Sequence, residues 1–144
     1  MLSLLLIHVA ATLFMFGVIV VIQIVHYPLF SLVGKGGFPL YQQSHMRLIT
    51  IVVVPPMLIE LVTAVLLVWW APPGVTGWQV GIGLVLVAII WGSTALVQAP
   101  LHQRLMSGFR ERLHQRLVQT NWLRTIAWAA RSVLVLAMLY AVMG

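Results

Sequence analysis

Four long apolar runs, separated by short connections, constrain this chain more than any motif in it. They cover roughly residues 3–26, 43–70, 77–99 and 121–143, each near the ~20 residues a helix needs to cross a hydrocarbon layer. A chain of 144 residues has room for little else. Charged residues make up only 7% of it and hydrophobic residues 62%, too few charges to cover a surface facing water. The mean hydropathy is +1.06. The sequence predicts an all-α, integral-membrane four-helix bundle forming one domain over residues 1–144.

The connections carry turn chemistry. Pro28, Gly34, Gly36, Gly37 and Pro39 punctuate the first, and Ala71-Pro72-Pro73-Gly74 closes the second as a tight loop. The first run lacks a basic leader and is longer than the apolar part of a signal peptide, so it reads as an uncleaved helix. The only strongly polar stretch, LHQRLMSGFRERLHQRLVQT, lies between the last two runs. Its Leu101, Leu105, Phe109, Leu113 and Leu117 recur every four residues, which predicts an amphipathic helix over 101–118 lying among headgroups. The pentapeptide LHQRL occurs twice there, and no longer internal repeat is visible.

Basic residues set the orientation. Lys35, Arg47, Arg104, Arg110, Arg112, Arg116 and Arg124 all fall toward one side, and no lysine or arginine falls toward the other. The positive-inside rule puts that side in the cytoplasm and both termini outside. The chain is expected in a bacterial inner membrane. A net charge of +6 then signals topology and contact with anionic lipid rather than nucleic acid.

Ionisable groups deep in hydrocarbon each need a reason, because insertion costs about 2.5–3.5 kcal/mol. Glu60 and Arg131 are the two that no boundary shift moves to an interface, and their depths match within a few Å at ~1.5 Å per residue. They are read as partners: either an ion pair that fixes packing, or a catalytic pair lining a proton or ligand site. Pro55-Pro56, one turn before Glu60, is expected to kink that helix and widen the bundle. His8 lies at a similar depth, either as a packing residue or as a haem ligand or proton carrier. His8 and His26, 18 residues apart, share one face of a regular helix.

His26, His45 and His102 come from three helices at the cytoplasmic end and form a candidate metal set, although no HxH or HxxxH spacing supports it. In the last helix Asn121, Arg124, Thr125, Trp128, Arg131 and Ser132 fall within about 120° at ~100° per residue, a polar stripe that must face the interior. Trp91 and Trp128, deep for tryptophan, either wall a planar ligand or pack on each other. The absence of cysteine removes disulfides, thiolate metal sites and cysteine nucleophiles. No P-loop, GxSxG, HExxH or CxxCH is present, so hydrolases, NTPases and covalent haem lack support.

His8 together with YQQSHMRLITIVVVPPM (41–57) resembles the HemJ-type protoporphyrinogen oxidases, which carry a histidine in helix one and a proline-broken helix two. The chain departs from them in having no lysine in WQVGIGLVLVAIIWGSTALVQAP. NWLRTIAWAAR (121–131) is similar to the Asn/Trp/Arg cluster entering the last helix of the anthrone-oxygenase-like family. Both resemblances imply redox chemistry on a flat lipophilic molecule.

The expected function is therefore a small membrane oxidoreductase or cofactor-binding protein for a quinone-, porphyrin- or polyketide-like compound. Glu60, Arg131 and His8 would be catalytic, and His8, Trp91, Trp128, Asn121 and Arg124 would hold the ligand, with haem as a candidate cofactor. The alternative is a non-catalytic subunit of a larger membrane complex. The uniformly apolar surface suggests association with a second copy or other subunits.

Overall fold

A computed structural model describes all residues, 1–144. It is all-helical, with four helices long and apolar enough to cross a membrane: α1 (Leu2–Leu32), α2 (Phe38–Trp70), α3 (Gly77–Leu105) and α4 (Glu111–Met143). They run antiparallel in a ring in which each packs on its neighbours, so α2 and α4 meet only across the diagonal.

Every helix overruns its apolar stretch at the end away from the termini. Proline explains two of these extensions. Pro28 and Pro100 do not end α1 and α3, because a wide π turn precedes each, at Ile22–His26 and at Thr94–Gln98. A π turn inserts one extra residue and draws the carbonyls out of register, so the missing N–H and the bulky ring are accommodated. The prolines Pro55-Pro56 likewise leave α2 continuous.

The two π segments lie 72 residues apart, as do Pro28 and Pro100. Each is followed by a short turn and a helix of 33 residues, α2 or α4. The chain thus consists of two similar helical hairpins. The sequence hides this, because lipid-length helices can be built from almost any apolar residues.

The expected amphipathic helix over 101–118 is not formed as one piece. Leu101–Leu105 ends α3, Met106–Arg110 turns, with Gly108 at φ +136°, and α4 begins at Glu111. The four-residue apolar period survives the break because both pieces turn the same kind of face inward: Leu101, Leu105 and Leu117 are buried. The opposite connection is held by Gly74 at φ +96°, where a side chain would collide with the backbone carbonyl of Ala141. Thr76 and Gln79 form a capping box at the start of α3.

The interior is unusually polar. Of the 41 buried residues, 17 are polar or charged, whereas Leu, Ile, Val and Trp side chains cover the outside. Two apolar clusters separate the polar groups into layers. Leu5, Val9, Leu67, Val80, Val135 and Met138 seal the end that carries the termini. A larger cluster built on Met15, Ile19, Met57, Ile90 and Trp128 runs toward the other end.

Candidate functional site

Between these clusters lies a layer assembled from all four helices around Glu60 and Arg131. The Nε of Arg131 donates to Glu60 Oε1 at 2.8 Å, with both side chains buried. Thr12, on α1, donates to the same oxygen at 2.9 Å, and the Trp128 indole donates to Oε2 at 3.1 Å. Arg131 Nη1 donates to the Gly83 carbonyl of α3, and Nη2 meets His8 Nε2 at 3.1 Å. A guanidinium offers only donors, so His8 Nε2 must accept and its proton must sit on Nδ1. Nδ1 then donates to Thr63 Oγ1 at 2.7 Å, and that hydroxyl donates in turn to the Ile59 carbonyl at 2.6 Å.

This layer is closed. Every buried side-chain nitrogen and oxygen of His8, Thr12, Glu60, Thr63 and Arg131 has a partner. None of the sizeable cavities is lined by His8, Glu60 or Arg131. The expected widening at Glu60 is absent: the depression beside Pro55 and Pro56 lies on the outer face of the bundle. His8 does not fit a haem axial position, since both of its ring nitrogens are engaged in hydrogen bonds.

A second polar layer lies toward the loop end. The π turn of α1 breaks the stripe expected to join His8 and His26. The extra residue advances the register by about 100°, so His8 points inward and His26 comes to the α1–α2 surface, half-buried. There His26 Nε2 and His45 Nδ1 share a hydrogen bond at 2.8 Å. His102, 5.3 Å from the His45 ring centre, meets the Tyr27 hydroxyl through Nε2 at 2.8 Å and Gln42 through Nδ1 at 2.8 Å. The three imidazoles expected at this end are therefore neighbours. They do not form the metal set: both nitrogens of His102 are taken by Tyr27 and Gln42, and no group of three His, Cys, Asp or Glu side chains has metal-binding spacing.

The α4 stripe faces the interior, as its periodicity requires. Asn121 donates to Gln23 Oε1 at 2.8 Å, and Arg124 Nη1 donates to Asn121 Oδ1 at 3.1 Å. The Arg124 guanidinium lies 5.2 Å from the Trp128 ring centre, a cation–π contact. Arg124 is buried without a carboxylate partner, because Glu60–Arg131 is the only ion pair. Trp128 meets Glu60 through its indole N–H and Arg124 through its ring face, and Trp91 is among the partly buried side chains packed against the same apolar cluster. The Trp91 indole nitrogen has no partner.

The unpartnered buried polar atoms all lie outside the closed layer: Gln42 Oε1, His45 Nε2, Trp91 Nε1, Ser93 Oγ, Gln98 Oε1, His114 Nδ1 and Arg124 Nε. Most belong to the loop-end layer. A groove on the outer face between α1 and α2 reaches that layer. It is made of three adjoining depressions of about 480, 540 and 400 Å³ that share Phe14, His26, Ile49 and Val52. Its upper floor is lined by Ala10, Ala11 and Gly17, and its loop end by His26, Tyr41, Ser44 and His45.

Sequence reasoning missed the neutral partners: Thr12, Gln23, Tyr27, Gln42, Thr63 and His114. Two were signalled by spacing, since Thr12 is one turn from His8 and Thr63 lies three residues after Glu60. Tyr27, Gln42 and His114 stand in segments read as connections, and Gln23 near the end of the first apolar run. No protein-family model, curated protein or solved structure matches this chain. The likeness to the two membrane oxidoreductase families therefore rests on the quoted residues alone.

Proposed function

We propose that this chain is an integral membrane protein that binds a flat lipophilic molecule in the α1–α2 groove and exchanges protons with it while a separate redox partner supplies or removes the electrons. Membrane placement is supported by the inverted distribution of polarity, with 17 polar residues buried and large apolar side chains outside. Both termini then face outward and the seven basic residues of the loop end lie on the cytoplasmic side, Arg124 buried within the bundle.

The observation that carries the ligand reading is the meeting of two features at one place. The groove opens sideways toward lipid along apolar and small residues and ends on His26 and His45. Its volume suits a quinone-sized or larger ring compound. His45 lines it and has a buried ring nitrogen without a partner. An imidazole can both accept and donate a proton, which is what reduction or oxidation of a ring carrying hydroxyl or carbonyl groups requires. Interrupted helices in matching places of two halves also tend to mark binding sites, and both π turns adjoin this layer.

In this reading Glu60, Arg131 and His8 hold the helices in register and do not touch the ligand. Arg124, Asn121, Trp91 and Trp128, on α3 and α4, line none of the groove. The closure of the Glu60 layer favours one competing reading, a non-catalytic subunit whose polar core serves packing alone.

The two part on a binding measurement in lipid nanodiscs. A short-chain ubiquinone analogue, a porphyrin and a hydroxyanthraquinone are each titrated against the wild-type protein and a His26→Ala/His45→Ala variant. Binding of one of them, weakened about tenfold or more in the variant (1.4 kcal/mol), supports the ligand site. Absence of binding by all three, with no lipophilic compound copurifying, supports the subunit reading.

A further inference from the structure

The repeated pentapeptide LHQRL has a structural meaning. Its first copy, 101–105, ends α3, its second, 113–117, lies in the first turns of α4, and the turn at 106–110 folds the two against each other. The leucines face the core. The two histidines converge on one residue: His102 meets the Tyr27 hydroxyl and His114 meets the Tyr27 carbonyl, each at 2.8 Å. With leucine and histidine directed inward, the arginine of each copy is left outside. Arg104 and Arg116 line the same small cavity, about 210 Å³, with Leu96, Val97, Pro100 and Leu101.

Neither arginine has an acidic partner. The chain has two carboxylate side chains; Glu60 is paired with Arg131, and Glu111 accepts from Gln115. Two arginine side chains lining one cavity without an acidic partner carry up to ten N–H donors suited to the planar, forked recognition of phosphate. The other wall is apolar and runs along α3 away from the loop end, where Leu96 is 79% exposed. A cationic mouth joined to an apolar runway fits an amphiphile with an anionic head.

We propose that Arg104 and Arg116 form a site for the phosphate of an anionic phospholipid, whose acyl chain lies along Leu96 and Val97. The inference rests on the membrane placement but is independent of the redox reading. The site would fix the α3–α4 turn at the headgroup level, directly outside the Tyr27–His102–His114 junction.

The test uses the full chain, stripped of lipid in mild detergent and followed by native mass spectrometry as phosphatidylglycerol, phosphatidylcholine or inorganic phosphate is added. Phosphatidylglycerol should bind about tenfold more tightly than phosphatidylcholine. Arg104→Gln/Arg116→Gln should remove that preference, whereas Arg110→Gln/Arg112→Gln, with the same loss of charge, should keep it within about twofold. All four side chains are exposed, so the fold should survive, as helical circular dichroism would verify. Equal loss in both double variants would overturn the site in favour of a diffuse charge effect. Inorganic phosphate binding as tightly as phosphatidylglycerol would overturn the lipid as its source. Insertion of both double variants into pure phosphatidylcholine vesicles separates failure of this site from failure of the membrane placement.

Discussion

Arg131 reaches Glu60 across the diagonal of the bundle, 2.8 Å between two side chains 71 residues apart in sequence. The π turns repeat at an interval of 72 residues, so the acid and the base stand within one residue of matching places in the two hairpins. One polar position near each hairpin's centre line, carrying opposite charges in the two halves, locks four helices together. The further donors on Glu60 and the acceptors around Arg131 satisfy the rest of both groups, the condition for an ion pair to be tolerated in a low-dielectric interior.

Removing one member should cost far more than removing both. Glu60→Gln or Arg131→Gln leaves an uncompensated or under-hydrogen-bonded group and should destabilise the fold by about 3–5 kcal/mol. Glu60→Met/Arg131→Met should cost less than the sum of its single variants. Unfolding in detergent, titrated with dodecyl sulfate, reads all of these; additive losses would contradict the closed network.

Trp128→Phe keeps most of the ring volume but removes the N–H that meets Glu60 Oε2. The orphaned carboxylate oxygen should cost about 1–3 kcal/mol. Trp128→Phe should have a much smaller effect in the Glu60→Met background, where there is no carboxylate to satisfy. The same unfolding titration measures both.

Gly17 lines the α1–α2 groove, and a Cβ built on it meets nothing within 4 Å. Gly17→Leu should therefore fill the groove without disturbing the helix packing. Its stability should stay within about 1 kcal/mol of wild type or rise slightly, from the better helix propensity of leucine. Binding of the lipophilic ligand should fall at least tenfold (about 1.4 kcal/mol). Unchanged binding, measured in nanodiscs, would place the ligand elsewhere.

Gly74→Ala should destabilise the α2–α3 connection by about 1–3 kcal/mol, because its φ of +96° is unfavourable for any side chain and the Ala141 backbone blocks the space. Gly77→Ala, where nothing lies within 4 Å of a new Cβ, serves as the neutral comparison. Thermal aggregation onset in detergent distinguishes them.

The chain has no cysteine, so single introduced thiols report topology without background. On intact cells a membrane-impermeant maleimide should label Pro73→Cys and leave Ser107→Cys unreacted until the cells are permeabilised. The reverse pattern would invert the orientation inferred from the basic residues.

Composition and period alone determined the coarse architecture of this protein. Apolar runs of lipid length dictate four helices, and the polar stripe from Asn121 to Ser132 dictates which face of α4 turns inward. Glu60 and Arg131 are the only charges that depth leaves without an alternative, so their meeting was legible too. Tertiary structure decided the rest. Whether Glu60 and Arg131 enclose a cavity depends on Thr12, Thr63, Trp128 and the Gly83 carbonyl, whose convergence no spacing within one helix encodes. The register of His26 depends on a single wide turn, and a π turn has no residue signature beyond the proline it precedes. The LHQRL copies look like one continuous amphipathic helix because period is blind to a reversal of direction. Periodicity fixes which side of a helix is polar; only packing among helices fixes what that side touches.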